Sequence, residues 1–176
     1  MIKYITLFLL LVSVLPNRPV HANEMDMPRP YEEFYTEMGY KTVEEAVKEF
    51  ERHFNEDLKL PLRVPQITFT HHFGRFNDLA GDNNDSFEME YINEKIPENH
   101  YKINVLPIKY KIPIRDKYVV STFTLKNGND ATFMTISDHN VLVFESGNWQ
   151  YMFSVDKNVS DKVTPETLVT IANSIQ

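Results

Sequence analysis

The chain has 176 residues, of which 42% are hydrophobic and 12% aromatic, and its net charge is −7 at pH 7. An acidic chain is a poor match for a phosphate backbone, so nucleic acid is not an expected partner. The absence of cysteine excludes a disulfide framework, thiolate metal sites, thiol catalysis and lipid attachment through a cysteine, leaving the fold to be held by a core in which 12 Phe, 9 Tyr and one Trp take part.

Met1 to Ala22 reads as an export signal. Lys3 is its charged end, Tyr4 to Leu15 its apolar run, and Val20-His21-Ala22 its cleavage site. The run is about twelve residues long, against roughly twenty for a bilayer span, so no transmembrane span is expected once the signal is cleaved. The remainder carries 16 basic and 25 acidic residues, enough chain for one domain and a destination outside the cell. Export without cysteine suits a Gram-positive bacterium.

Residues 23 to 40, with Pro28 and Pro30, read as a loose leader with a helical turn at Tyr31 to Glu37, and a single domain follows over residues 41 to 176. Thr42 opens a helix through Leu58, with Glu45 in capping-box position and Val43, Ala46, Val47, Phe50, Phe54 and Leu58 as its apolar stripe. Alternation predicts a strand over Val64 to Phe73, and the Asn- and Asp-rich run Gly74 to Ser86 reads as a loop. Further strands are expected over Phe87 to Asn93 and Tyr101 to Ile114. The second has a phase slip at Leu106, and Pro107, Pro113, Lys109 and Lys111 argue for an edge position.

Four strands then follow as a meander: Tyr118 to Lys126, Ala131 to Ser137, Val141 to Glu145 and Trp149 to Val155. They are separated by turns at Asn127-Gly128, Asp138-His139-Asn140 and Gly147-Asn148. Pairing through those turns puts Val119, Phe123, Leu125, Met134, Ile136, Leu142, Phe144, Trp149, Tyr151, Phe153 and Val155 on a core face. The opposite face receives Tyr118, Val120, Phe133, Val141, Val143 and Met152 among Thr, Gln and Ser, and these six residues form the candidate ligand- or partner-binding patch. Thr164, Pro165 and Glu166 start a closing helix whose stripe is Leu168, Ile171, Ala172 and Ile175.

The expected fold is therefore α+β, a curved antiparallel sheet of six or seven strands packed on two main helices. The tail carries a resemblance as well. Gly147-Asn148-Trp149-Gln150-Tyr151-Met152-Phe153, then Thr164-Pro165-Glu166-Thr167-Leu168-Val169 and Ile171-Ala172-Asn173-Ser174-Ile175, resembles the ending of an uncharacterised extracytoplasmic domain family of Gram-positive bacteria, related to the lipoprotein-carrier and sigma-regulator half-barrels. That resemblance covers Tyr118 onward and implies export, a half-barrel and a non-enzymatic binding role, with no functional residues carried over.

Residues that could carry chemistry are sparse. His71 and His72 are adjacent on a predicted strand and point to opposite faces, and His53, His100 and His139 have no partner at a meaningful spacing. Asp82, Asn84, Asp85 and Glu88 offer oxygen ligands for calcium, but the run lacks the glycine and glutamate of an EF-hand loop, so a solvated loop is the plainer reading and no cofactor is expected. Glu88 and Glu90 share a strand face and read most simply as its wet side. The function expected is an exported binding or sensing module at the cell envelope, its partner an apolar ligand or an envelope protein. The alternatives are a protein inhibitor of an extracellular enzyme and a hydrolase of wall or polysaccharide.

Overall fold

A computed structural model describes residues 29–79 and 85–175. The Met1 to Ala22 signal, the first residues of the leader, and Asp82 and Asn84 lie outside the described residues. The elements are α1 (Tyr31–Glu37), α2 (Val43–Phe54), β1 (His71–Asn77), β2 (Ser86–Ile92), β3 (Tyr101–Pro107), β4 (Val119–Thr124), β5 (Asp130–Ile136), β6 (His139–Ser146), β7 (Trp149–Asp156) and α3 (Pro165–Ala172). All seven strands form one antiparallel sheet in the order β1-β2-β3-β7-β6-β5-β4. The fold is thus the α+β arrangement expected, a curved open sheet with helices.

The two main helices form where their caps say they should. Thr42 accepts from Glu45 N–H while the Glu45 carboxylate reaches back to Thr42, and Thr164 accepts from Thr167 N–H ahead of Pro165. Asn55 adopts the left-handed conformation (φ 50°) and stops α2 after Phe54, four residues before the predicted stripe ends at Leu58, which still reaches the core. Ala46 and Phe50 of α2, and Leu168, Ile171 and Ala172 of α3, share one hydrophobic cluster with Trp149, Tyr151, Phe153 and Val155. This cluster defines the inner face of the sheet, and its concavity is filled.

The N-terminal segment wraps the β1 edge. From Tyr31 onward the predicted leader is packed rather than loose: Tyr35 and Tyr40 are buried against Phe73 and Ile92 on the outer face. Lys41 then exchanges two backbone hydrogen bonds with Gly74 (2.8 and 2.9 Å), and α2 continues on the inner face. Gly74 permits this crossing, because a Cβ there would lie 2.8 Å from Val43 Cα and 2.9 Å from Ala46 Cβ.

Three predicted positions are corrected. The first strand begins at His71 rather than Val64 and runs to Asn77, into the stretch read as a loop. β3 lies in the middle of the sheet between β2 and β7, not at an edge, since Pro107 ends the strand and Pro113 lies beyond it. The β5–β6 turn is Ser137-Asp138, with Ser137 at φ 52°, so Ile136 pairs with His139 and Phe133 with Leu142. A turn over Asp138 to Asn140 would shift that register by an odd number of residues and reverse every β5 side chain.

Candidate functional site

On the outer face of β5, β6 and β7, alternation brings Met134, Val141 and Val143 into a small buried cluster, with Tyr118, Ile136 and Met152 packed against it. Four of the six residues predicted for the patch, Tyr118, Val141, Val143 and Met152, therefore meet. Phe133 does not. The corrected register turns it to the inner face, where it joins the main core, and Met134 and Ile136, assigned to that core from the sequence, take its place outside. Val120 is also separate, since it is the extra residue of a bulge between Val119 and Ser121 and is 63% exposed.

The patch is not open. β3 is central and β4 is an edge, so the connection between them must cross β7, β6 and β5, and it does so over the outer face. Single 3₁₀ turns at Ile108–Tyr110 and Asp116–Tyr118 bound this crossover. Gln150 fastens its middle: Ile112 N–H donates to Gln150 Oε1 at 2.9 Å, and Gln150 Nε2 donates to the Ile112 carbonyl at 3.0 Å. Lys111 donates to Glu145 at 2.6 Å. Between crossover and sheet is a cavity of about 270 Å³, walled by Ile112, Pro113, Ile114 and Tyr118 above and Met134, Ile136, Val143 and Met152 below, with Arg115 beside it. Among the described residues no carboxylate lies within 4.0 Å of the Arg115 guanidinium.

At the other end of the outer face Glu88 and Glu90 sit under Tyr40, with Tyr35 of α1 also reaching Glu90. They are buried, at 9% and 7% exposure, where the sequence suggested a wet strand face. Lys102 Nζ lies 3.1 Å from both carboxylates, and Arg75 pairs with Glu88. Tyr40 donates to Glu90 at 2.7 Å and has Glu88 at 3.0 Å, while Tyr35 donates to the other oxygen of Glu90 at 3.2 Å. Two carboxylates and two permanent cations thus balance, as a buried ion cluster requires.

Burial pushes the Glu90 carboxyl up, but the contacts of His100, Tyr40 and Lys102 outweigh it and bring it down to about 2. His100 Nε2 is 3.4 Å from Glu90 and makes no directed hydrogen bond among the described residues, so Tyr40 and Lys102 are the firmer causes. Glu88 is lowered likewise, burial being outweighed by Lys102 and Arg75. A general acid needs its proton near neutral pH, and this pair is held ionised.

His53, without a sequence neighbour to suggest a role, lies 2.9 Å from Asp85 across the β1–β2 connection. Asp85 and Glu88, grouped in the sequence as calcium ligands, have different partners: His53 and Leu79 N–H for the first, Arg75, Lys102 and Asn104 for the second. His71 and His72 fall on opposite faces, His71 against Glu32 and Tyr31 outside and His72 against Tyr91 inside. Comparison with family models, curated proteins and solved structures finds no match to the chain. Among the described residues no helix is long and apolar enough to cross a membrane.

Proposed function

We propose that this protein is a non-enzymatic binding module of the cell envelope that takes a small amphipathic anion between its 112–118 crossover and the outer face of β5–β7. The carrying observation is the cavity itself, about 270 Å³ with apolar walls and Arg115 beside it. Ligand sites are most often about 300–1,000 Å³, so this one suits a short acyl chain or a small ring system rather than a long lipid. Arg115 supplies the charge that orients such a molecule, its guanidinium toward the head group and the methyl-rich walls toward the tail. The predicted export signal, the absence of cysteine and the tail's resemblance to extracytoplasmic domains support a place outside the membrane.

The test is fluorescence titration with 1-anilinonaphthalene-8-sulfonate, an apolar anion, with decanoate as competitor. Saturable binding at one site per chain is expected, displaced by decanoate and weakened at least tenfold by Ile114→Asp, a substitution at a half-exposed wall position. Binding that survives Ile114→Asp and Arg115→Ala unchanged overturns the reading.

A further inference from the structure

A second site is assembled where the β1–β2 neck meets α2. The ladder closes with Asn77 opposite Ser86, so Asp78 and Asp85 are the next residues out on either side of the connection. The last turn of α2 places His53 over them. One ligand atom from each of these three side chains lies within 4.8 Å of the others.

Two of the three members, Asp85 and His53, are held in a way that favours a ligand's role, and Asp78 is exposed beside them. Asp85 is 1% exposed; its Oδ1 accepts from Leu79 N–H at 3.0 Å, which leaves Oδ2 aimed at His53 Nε2, 2.9 Å away. The His53 ring is fixed between Phe54 and Phe76, with centroids 4.7 and 5.0 Å away. Adjacent ligands on a metal with bonds of about 2.0–2.2 Å stand roughly 3 Å apart, so the nitrogen and the carboxylate oxygen already have a coordinating separation. Asp78 borders a surface cleft of about 540 Å³ together with His53, Glu49, Arg52 and Phe76, and Glu49 is engaged by Lys41.

We propose that His53, Asp78 and Asp85 bind a first-row divalent cation, Zn²⁺ or Mn²⁺, with the remaining coordination positions open to the cleft. Two carboxylates with one neutral imidazole leave two negative charges, which a dication cancels. The imidazole selects against calcium, which takes six to eight oxygens. This assignment is independent of the apolar cavity on the outer face.

The experiment is calorimetric titration of the chelator-stripped full chain with ZnCl₂, MnCl₂ and CaCl₂, repeated on Asp78→Asn and His53→Gln. Asp78 is exposed, and the side chain of His53→Gln can still donate to Asp85; the metal-free thermal midpoint checks that both variants fold. One Zn²⁺ or Mn²⁺ per chain is expected, at least a hundredfold tighter than Ca²⁺, with affinity falling at least tenfold in each variant. Co²⁺ should give visible ligand-field bands that change in His53→Gln. No saturable binding at millimolar Zn²⁺ and Mn²⁺ overturns the proposal, as does equal affinity in wild type and both variants, or a preference for Ca²⁺.

Discussion

Gln150 and Ile112 face each other as two residues of a ladder would, except that one side of the pair is a side-chain amide. The primary amide presents a donor and an acceptor at the spacing of a peptide group, so both backbone groups of Ile112 are satisfied without a neighbouring strand. Because Gln150 is itself 2% exposed, the crossover is fastened from beneath. Its attachment sets the height of the roof over Met134, Val143 and Met152.

Gln150→Leu keeps the side chain's size and removes both bonds. The Ile112 amide should then exchange with solvent at least tenfold faster, while the amides of β6 and β7 keep their protection. The loss of two hydrogen bonds near the surface costs on the order of 1 kcal/mol each at most, because water can replace them once the crossover lifts. Hydrogen exchange read residue by residue checks this, and unchanged protection at Ile112 contradicts it.

Gly74→Ala tests how closely α2 sits on β1. The new methyl meets backbone at Val43 Cα as well as the Ala46 side chain, and backbone cannot rotate away. Overpacking of this kind costs typically about 1–3 kcal/mol. Gly128→Ala is the control: nothing lies within 4 Å of the added carbon, but the residue is at φ +86°, so only local strain is added, about 1–2 kcal/mol. Urea denaturation of the two variants should place Gly74→Ala at least as low as Gly128→Ala. A Gly74→Ala midpoint equal to wild type removes the close approach.

What the sequence revealed is what its local chemistry determines. The capping box at Thr42 and Glu45, the Thr164-Pro165 start and the Gly147-Asn148 hairpin each depend on residues within a few positions of one another, and each forms as read. The β5 phase was not legible, because it turns on Ser137 entering the left-handed region, where an Asp-His-Asn run beside it looks the better turn. Glu88 and Glu90 have the alternation of a solvated strand face. Only Tyr35 and Tyr40, about fifty residues earlier, and Arg75 and Lys102 on the neighbouring strands reveal that they are covered. His53 and Asp85 meet for the same long-range reason, the packing of α2 against the hairpin neck. The outer patch was read in part, since the partners of β6 and β7 follow from a Gly-first turn while those of β5 do not.

The ion cluster makes stability depend on acid. Glu90 titrates at about 2 when folded, below its ordinary value of 4.5, so the folded state binds its proton less readily than the unfolded one. The stabilisation is present in full above the unfolded pKa and is lost as pH falls from about 4.5 toward 2. Thermal midpoints from pH 6 to pH 2 should fall most steeply in that window. Glu90→Gln should flatten the slope, and at pH 7 it should lower the midpoint because Lys102 and Arg75 are left with one carboxylate. A wild-type profile as flat as the variant's contradicts this role for Glu90.

Tyr101 supplies a substitution expected to stabilise. Its ring is wholly buried between Tyr91 and Phe153, and its hydroxyl has no hydrogen-bond partner among the described residues. Burial, with a smaller contribution from Tyr91, also pushes its ionisation well above the ordinary tyrosine value, so the group is an uncharged donor at neutral pH. Desolvating a hydroxyl without a partner costs about 1–3 kcal/mol, and phenylalanine keeps the ring contacts while removing the oxygen. Tyr101→Phe should therefore raise the urea midpoint by the equivalent of about 1 kcal/mol at an unchanged denaturant slope. A lower midpoint would mean that the hydroxyl is satisfied in solution, and β3 would then carry a buried polar contact at the centre of the sheet.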